Sequence, residues 1–101
     1  MSAEAQLVKL GITLPPVPKA QGVYKPAVQV GNLVYLSGHG PLLPDGTMVQ
    51  GCVGGNLDVA AGKDAARLVG LALLATLKDF LGSLDRVKRV VKTLGLVNCT
   101  N

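Results

Sequence analysis

The sequence is poor in aromatic side chains and in charge. Aromatic residues make up 3% of the 101 positions, tryptophan is absent, and charged residues make up 16%. Disordered chains have few apolar groups and much charge, so a hydrophobic content of 49% excludes that class. Because aromatics are so few, we expect leucine, valine and alanine to form the core of one domain over residues 1–101.

Histidine, cysteine and long apolar runs are also scarce, and each scarcity excludes a kind of site or location. One histidine and two distant cysteines, Cys52 and Cys99, lack the ligand spacing of a zinc site, so no metal is expected. The N-terminus lacks the basic-then-apolar build of a signal peptide, and we expect a cytoplasmic protein with two free thiols. The most apolar window, residues 68–75, is shorter than the roughly 20 residues that span a membrane.

The charge balance is mildly basic. The net charge is +4 and the isoelectric point is about 9.3. A nucleic-acid surface would need a dense basic stripe with stacking aromatics. The short basic cluster of Arg86, Lys88, Arg89 and Lys92 contains no aromatic residue. The composition therefore argues against a nucleic-acid partner and favours a solvated basic face.

Hydrophobic periodicity predicts an α+β domain. The predicted helices cover residues 3–10 and 58–81, and the predicted strands cover residues 23–30, 33–37 and 86–97. Together these elements make a small sheet with the long helix on one face. Its other face would be bare and its last strand would have a free edge, so we expect further strands or another chain to complete it.

Glycine, proline and capping residues mark the breaks between these elements. Gly11 ends the first helix, and three prolines within positions 15–18 make the next segment an extended connector. The Gly-Asn pair at positions 31–32 predicts a hairpin between the first two strands. Either Asn56 or Asp58 is expected to cap the long helix.

The end of the second strand is the most distinctive stretch. Ser37, Gly38 and His39 follow the apolar residues 33–36 there, and His39 is the only histidine. A strand that runs into glycines is where backbone comes close to a ligand, a neighbouring chain or another strand. Tyr24 lies one short strand upstream. Taken singly, Tyr24 is as typical of a packing residue as of a site residue, whereas His39 is more typical of a structural or surface histidine.

A series of short motifs along the chain matches a known family. The motifs are Gly22-Val23-Tyr24, Val30-Gly31-Asn32, Leu36-Ser37-Gly38-His39-Gly40-Pro41, Asp45-Gly46, Ala65-Ala66-Arg67, Leu73-Leu74-Ala75-Thr76-Leu77 and Leu84-Asp85-Arg86-Val87-Lys88. Together they resemble the RidA/YjgF family, also called the endoribonuclease L-PSP family, over residues 20–97. The N-terminal helix and proline connector are similar to a longer branch of that family.

The resemblance implies a fold like that of the chorismate mutase subunit, with a mixed sheet backed by helices. It also implies a homotrimer whose ligand clefts lie between subunits. Well-studied members hydrolyse 2-imino or enamine acids to 2-keto acids and ammonia without a cofactor, so a small-molecule substrate and deaminase activity are expected. The open alternatives are an endoribonuclease or RNA-binding protein, and a non-catalytic metabolite-binding or interaction module.

The resemblance also assigns site residues. Tyr24 lines the cleft and hydrogen-bonds substrate or water, and Ser37 and Gly38 present hydroxyl or backbone groups near the substrate carboxylate. His39 stands where the RidA enzymes commonly carry glutamine, and it is expected to donate a hydrogen bond or to titrate near neutrality. This difference leaves the substrate open.

The chain departs from the family in length. The family fold continues beyond the strand predicted at 86–97, and the later part carries the arginine that clamps the substrate carboxylate. Arg67 and Arg89 are candidate replacements, although no motif supports either. We therefore expect only the first part of the fold here, with the rest in a longer product or another chain.

Overall fold

The computed structural model describes residues 2–19 and 22–101. The elements, in chain order, are helix α1 (Ala3–Lys9), strands β1 (Ala27–Val30) and β2 (Leu33–Leu36), helix α2 (Val59–Leu81) and a 3-10 helix (Leu84–Arg86). Two helices beside an antiparallel hairpin confirm the predicted α+β class. Residues 20 and 21, where the family resemblance begins, lie outside the described residues.

The hairpin of β1 and β2 determines where the candidate residues lie. The strands are antiparallel, and the register pairs Ala27 with Leu36. Gly31 is needed in the turn, because its φ of 60° is a left-handed conformation that side chains disfavour. β1 begins later than predicted, since Pro26 has no N–H for the ladder. The Pro26 carbonyl oxygen accepts a hydrogen bond from the Ser37 N–H at 3.0 Å, so the pairing of the two chain segments continues beyond β2.

The two faces of the hairpin have different surroundings. Ala27 lies on the face that packs against α2 and is buried. On the opposite face, Val28 lies across from Tyr35 and Val30 across from Leu33, and all four side chains are exposed. This bare hairpin face (Val28, Val30, Leu33 and Tyr35) confirms, for the described part of the chain, that one side of the sheet is uncovered.

Helix α2 supplies most of the core. Asp58 caps the helix, because its Oδ1 accepts a hydrogen bond from the Ala61 N–H at 2.8 Å. Ala72, Ala75 and Thr76 are its buried residues. No large side chain is completely buried in the described segments, so the core consists mainly of small residues. None of the helices described has the length and apolar character that a bilayer crossing requires.

A single acidic residue attaches α1 to the end of α2. Glu4 Oε1 accepts a hydrogen bond from Lys78 Nζ at 2.7 Å, and Oε2 accepts one from the Leu84 N–H at 3.2 Å. The Glu4 N–H donates to Asp85 Oδ1 at 2.9 Å. The bond from Lys78 is the main cause that lowers the pKa of Glu4. These contacts stabilise a seven-residue helix that would be too short to persist alone.

The prediction of a strand over residues 86–97 is wrong. Residues 87–97 have no regular secondary structure, and Leu94 and Leu96 are 79% and 90% exposed. Side chains with β propensity form a strand only where a neighbouring strand accepts the backbone hydrogen bonds, and none does so among the residues described. The chain is held again further on, where the Thr100 N–H donates to the Val53 carbonyl oxygen at 3.0 Å.

Two glycines of α2 should respond in opposite ways to alanine. A Cβ at Gly62 would lie 2.8 Å from Val53 Cγ2, whereas a Cβ at Gly70 meets no atom within 4 Å. Alanine favours a helix over glycine by about 1 kcal/mol, so Gly70→Ala should raise the free energy of unfolding by that amount. Gly62→Ala should lower it, because the stiff valine must move. Urea denaturation measures both, and an equal gain in the two variants would contradict this packing.

The Glu4 carboxylate should make the free energy of unfolding depend on pH in the acidic range. Folding lowers the pKa of Glu4. The contribution of the Glu4 carboxylate to the free energy of unfolding is therefore complete when the pH is above the pKa that Glu4 has in the unfolded chain. It is lost as the pH falls through the pKa that Glu4 has in the folded chain. Glu4→Gln should therefore destabilise the chain at neutral pH and flatten the acidic end of its stability profile. Asp64→Asn is the matched control, because Asp64 is exposed on α2. Urea denaturation across pH compares them, and identical profiles would refute the role of Glu4.

Candidate functional site

The candidate site is a small cavity beyond the end of β2. Tyr24, Ser37, Gly38 and His39, the four residues suggested by the sequence, all line this space of about 70 Å³. The other lining residues come from the connector and from the chain around the hairpin: Pro18, Lys19, Pro26, Gly40, Leu42 and Met48. The fold thus brings the four candidates together, and their role in binding stays a prediction.

The Ser37–Gly38 peptide is held in a fixed position at the edge of the cavity. The Ser37 N–H and hydroxyl both donate to the Pro26 carbonyl oxygen, at 3.0 and 3.3 Å. The hydroxyl oxygen keeps its lone pairs and can accept a hydrogen bond from a ligand. No residue described accepts a hydrogen bond from the Gly38 N–H. One acceptor and one backbone donor therefore lie side by side at the end of the sheet.

Both ring nitrogens of His39 are bonded inside the protein. Nδ1 lies 2.7 Å from the Ser37 carbonyl oxygen, and Nε2 lies 2.7 Å from Thr76 Oγ1. Because a carbonyl oxygen can only accept, Nδ1 carries a proton, and whenever the ring is neutral Nε2 accepts a hydrogen bond from the Thr76 hydroxyl. Thr76 is 3% exposed, so this contact joins the loop after β2 to the buried side of α2. His39 therefore positions the Ser37–Gly38 peptide and has no ring nitrogen left for a ligand.

Sequence reasoning missed Lys19 and Met48 as lining residues. Lys19 follows the proline connector, and its closeness in sequence to Tyr24 was the one signal that could have pointed to it. Met48 forms an isolated antiparallel bridge with Leu42. A Cβ at Gly40 would lie 2.8 Å from Met48 Sδ, so glycine at this position leaves the space that the thioether fills.

Other residues with suitable chemistry lie outside the cavity. Neither Arg67 nor Arg89 lines it. Cys52 and Cys99 are free thiols, and the Cys52 N–H donates to Asn56 Oδ1 at 2.7 Å in a separate turn. The described residues contain no group of three or more histidine, cysteine or acidic side chains that could hold a metal ion.

A larger groove of about 640 Å³ lies between α1, the connector and the C-terminal end of α2. Its wall is mostly apolar, and two of its charged residues, Glu4 and Lys78, are paired with each other at 2.7 Å. We assign the site to the smaller cavity because all four candidate residues line it and none of them lines the groove.

The volume of the cavity limits what it can enclose alone. Small-molecule sites usually enclose about 300–1,000 Å³, and a water molecule occupies about 30 Å³. A space of about 70 Å³ accommodates one end of a small ligand. The residues described therefore enclose too little space for a whole small-molecule ligand.

Comparison with known proteins identifies a family and a relative. A model of the family described as "YjgF/chorismate mutase-like, putative endoribonuclease" matches residues 4–101. Protein TCP17 of Trypanosoma cruzi is 38% identical over 94 residues, which make up 93% of this chain and 59% of that protein. Both findings cover nearly all of the chain.

Two crystal structures are similar to the chain in fold. One is a "putative endoribonuclease" from Shewanella oneidensis MR-1, which superposes with a TM-score of 0.82 and is 37% identical in sequence. The match covers 89% of this chain and 60% of the Shewanella chain. The other is the protein Atu1372 of Agrobacterium tumefaciens, given there as of unknown function, with a TM-score of 0.70, 39% identity, and coverage of 86% and 52%. The chain therefore spans between about half and three fifths of the length of these relatives.

The hydrogen bond between Thr76 and His39 should contribute to stability. Thr76→Val keeps the side-chain shape but leaves His39 Nε2 without its donor, and we expect a loss of about 1 kcal/mol in the free energy of unfolding. Thr76→Ser retains a hydroxyl and should lose less. Nitrogen NMR should show the Nδ1–H tautomer of neutral His39 in the native chain. An Nε2–H tautomer, or equal stability of the two variants, would refute this bonding.

Proposed function

The chain belongs to the YjgF/chorismate mutase-like family and has its fold, and on this basis we propose that it binds a small 2-imino or enamine acid and assists its hydrolysis to a 2-keto acid and ammonia. The observation that supports the proposal most is the convergence of Tyr24, Ser37 and Gly38 on one cavity. Because the chain spans 59% of the length of TCP17, the activity and partners of the whole protein belong to the proposal as well.

The proposed reaction requires mainly binding and orientation from the protein. The imine carbon is already electrophilic, so a water oxygen adds to it, and the resulting carbinolamine releases ammonia to leave the ketone. One water is consumed and one ammonia is released, without oxidation or reduction. A cavity that holds the substrate and directs one water molecule can therefore accelerate the reaction.

The lining residues have distinct roles in this proposal. The Gly38 N–H donates to the substrate, and the Ser37 hydroxyl oxygen accepts from the imine N–H. The Tyr24 hydroxyl orients the attacking water. His39 acts through the Ser37–Gly38 peptide and not as a base, because its ring nitrogens are bonded to Ser37 and Thr76.

A second copy of the chain is proposed to complete the site, as part of a homotrimer. Two observations support this assembly. The cavity of about 70 Å³ is too small to enclose a substrate. The bare hairpin face and the apolar side chains of residues 87–97 are exposed, and contiguous exposed apolar surface is typical of an interface. The clefts would then lie between subunits.

A reducing, cytoplasmic location is part of the same proposal. Cys52 and Cys99 are both free thiols. Cys99 is exposed, and an exposed thiol persists where the surroundings keep it reduced.

A second candidate function is RNA binding or cleavage. Three basic side chains in residues 87–97 are exposed, namely Lys88, Arg89 and Lys92. The similar Shewanella structure carries the name "putative endoribonuclease". The affinity of these basic side chains for phosphates would fall steeply as salt is raised.

The chain should accelerate the conversion of freshly generated 2-iminobutanoate to 2-oxobutanoate. Tyr24→Phe should lower the rate about tenfold, because the variant loses the hydroxyl that orients the water. Tyr35→Phe is the matched control, since Tyr35 does not line the cavity, and it must elute like the native chain because Tyr35 lies on the face proposed to join subunits. Formation of 2-oxobutanoate over time measures all three proteins, and the active species should elute near three times 10.4 kDa.

Three outcomes decide between the candidates. No gain in rate with the native chain would overturn the deaminase proposal. Equal rates for Tyr24→Phe and Tyr35→Phe would remove Tyr24 from the mechanism. RNA affinity that falls steeply with salt, in a chain without deaminase activity, would favour the second candidate.

A further inference from the structure

The groove between α1, the connector and the C-terminal end of α2 is a second concave surface, separate from the candidate cavity. Among the described residues, none lines both spaces. The groove volume of about 640 Å³ lies within the range of about 300–1,000 Å³ that is usual for small-molecule sites. The groove is therefore large enough to hold a ligand of its own, whether or not the cavity binds an imine.

Apolar side chains from three segments form most of the groove wall. Leu7 and Val8 come from α1, Ala75 comes from α2, and the chain after α1 supplies Ile12, Leu14, Pro15 and Val17. Helix α1 has no buried residue, and Val8 and Val17 are 82% and 44% exposed. The bonds of Glu4 thus hold α1 in place without closing its apolar side against α2. That side remains open to an apolar ligand.

The groove is negatively charged, although the whole chain has a net charge of +4. Its charged lining residues are Glu4, Lys78 and Asp79. Glu4 and Lys78 neutralise each other in their ion pair at 2.7 Å. The Asp79 carboxylate has no hydrogen bond or ion pair with any described residue. It therefore remains as one uncompensated negative charge beside an apolar wall, and it attracts a cationic group.

We propose that the groove binds a small amphiphile with an apolar chain and one positive charge, of which an alkylammonium ion is the simplest example. The apolar chain lies against α1 and the connector, and the cation lies at Asp79. Asp79 repels an anionic amphiphile, and Lys78 does not attract one because Glu4 already neutralises it. The inference goes beyond the proposed function, since it concerns a different ligand on a different surface.

Three eight-carbon probes test the role of charge: octylammonium, octan-1-ol and octanoate, each used below its micelle concentration. The native chain should bind octylammonium most tightly and octanoate least, and NMR should show shifts of the Ile12 and Gly82 amides in the groove. Asp79→Asn should weaken octylammonium binding about fivefold and leave octan-1-ol binding unchanged. Asp64→Asn, exposed on α2 outside the groove, is the control and should bind like the native chain.

The apolar wall is tested by Val17→Thr, which keeps the shape of the side chain and replaces a methyl group with a hydroxyl. This variant should weaken all three probes by a similar factor of about three, because it makes the wall more polar without changing its charge. Val59→Thr is the matched control, since Val59 is 76% exposed at the start of α2 and does not line the groove.

Each contrary result overturns a stated part of the proposal. Equal affinity of the native chain for the three probes, or unchanged octylammonium binding in Asp79→Asn, would overturn the assignment of the cation to Asp79. Equal losses in Val17→Thr and Val59→Thr would overturn the assignment of the apolar chain to the groove. A native chain that binds none of the probes would overturn the site as a whole, as expected if a second copy covers the groove. The deaminase proposal is decided separately, by the conversion of 2-iminobutanoate.

Discussion

The hydrogen-bonded link from the Ser37 carbonyl through His39 to the Thr76 hydroxyl is the contact on which the site depends. A two-stranded hairpin is marginally stable by itself, so its end needs support from another element. His39 provides that support by joining the loop after β2 to the buried face of α2, with 2.7 Å at each nitrogen. The Gly38 N–H is therefore held in place by tertiary contact and not by the hairpin alone.

The small size of the buried side chains limits the stability that the core can provide. Ala27, Ala72 and Ala75 form most of it, and small side chains remove little apolar area from water when they are buried. Polar contacts such as those of Glu4 and Asp58 are exposed, so they add only modestly to the stability that this core provides. Leu84 is the one large apolar residue that is buried among the described residues, and many other large apolar side chains are exposed, including those of the bare hairpin face and of residues 87–97. The proposed assembly would bury those surfaces.

Local signals predicted the elements that need no distant partner. Both helices, their ends and the turn at Gly31 follow from caps, periodicity and glycine conformation within a few residues. The strand over residues 86–97 was predicted by the same kind of signal and is wrong. A strand needs a neighbour for its backbone hydrogen bonds, and β propensity carries no information about whether one is present.

Local patterns in the sequence predict the helices and the hairpin. They also predict that Tyr24, Ser37, Gly38 and His39 lie close together, because these four residues lie within or beside one hairpin. The folded structure alone shows that His39 bonds both Ser37 and Thr76 and that Lys19 lines the same cavity. Thr76 lies 37 residues beyond His39, and their contact depends on how α2 packs on the sheet. No local pattern of residues encodes a hydrogen bond between elements that meet only after folding.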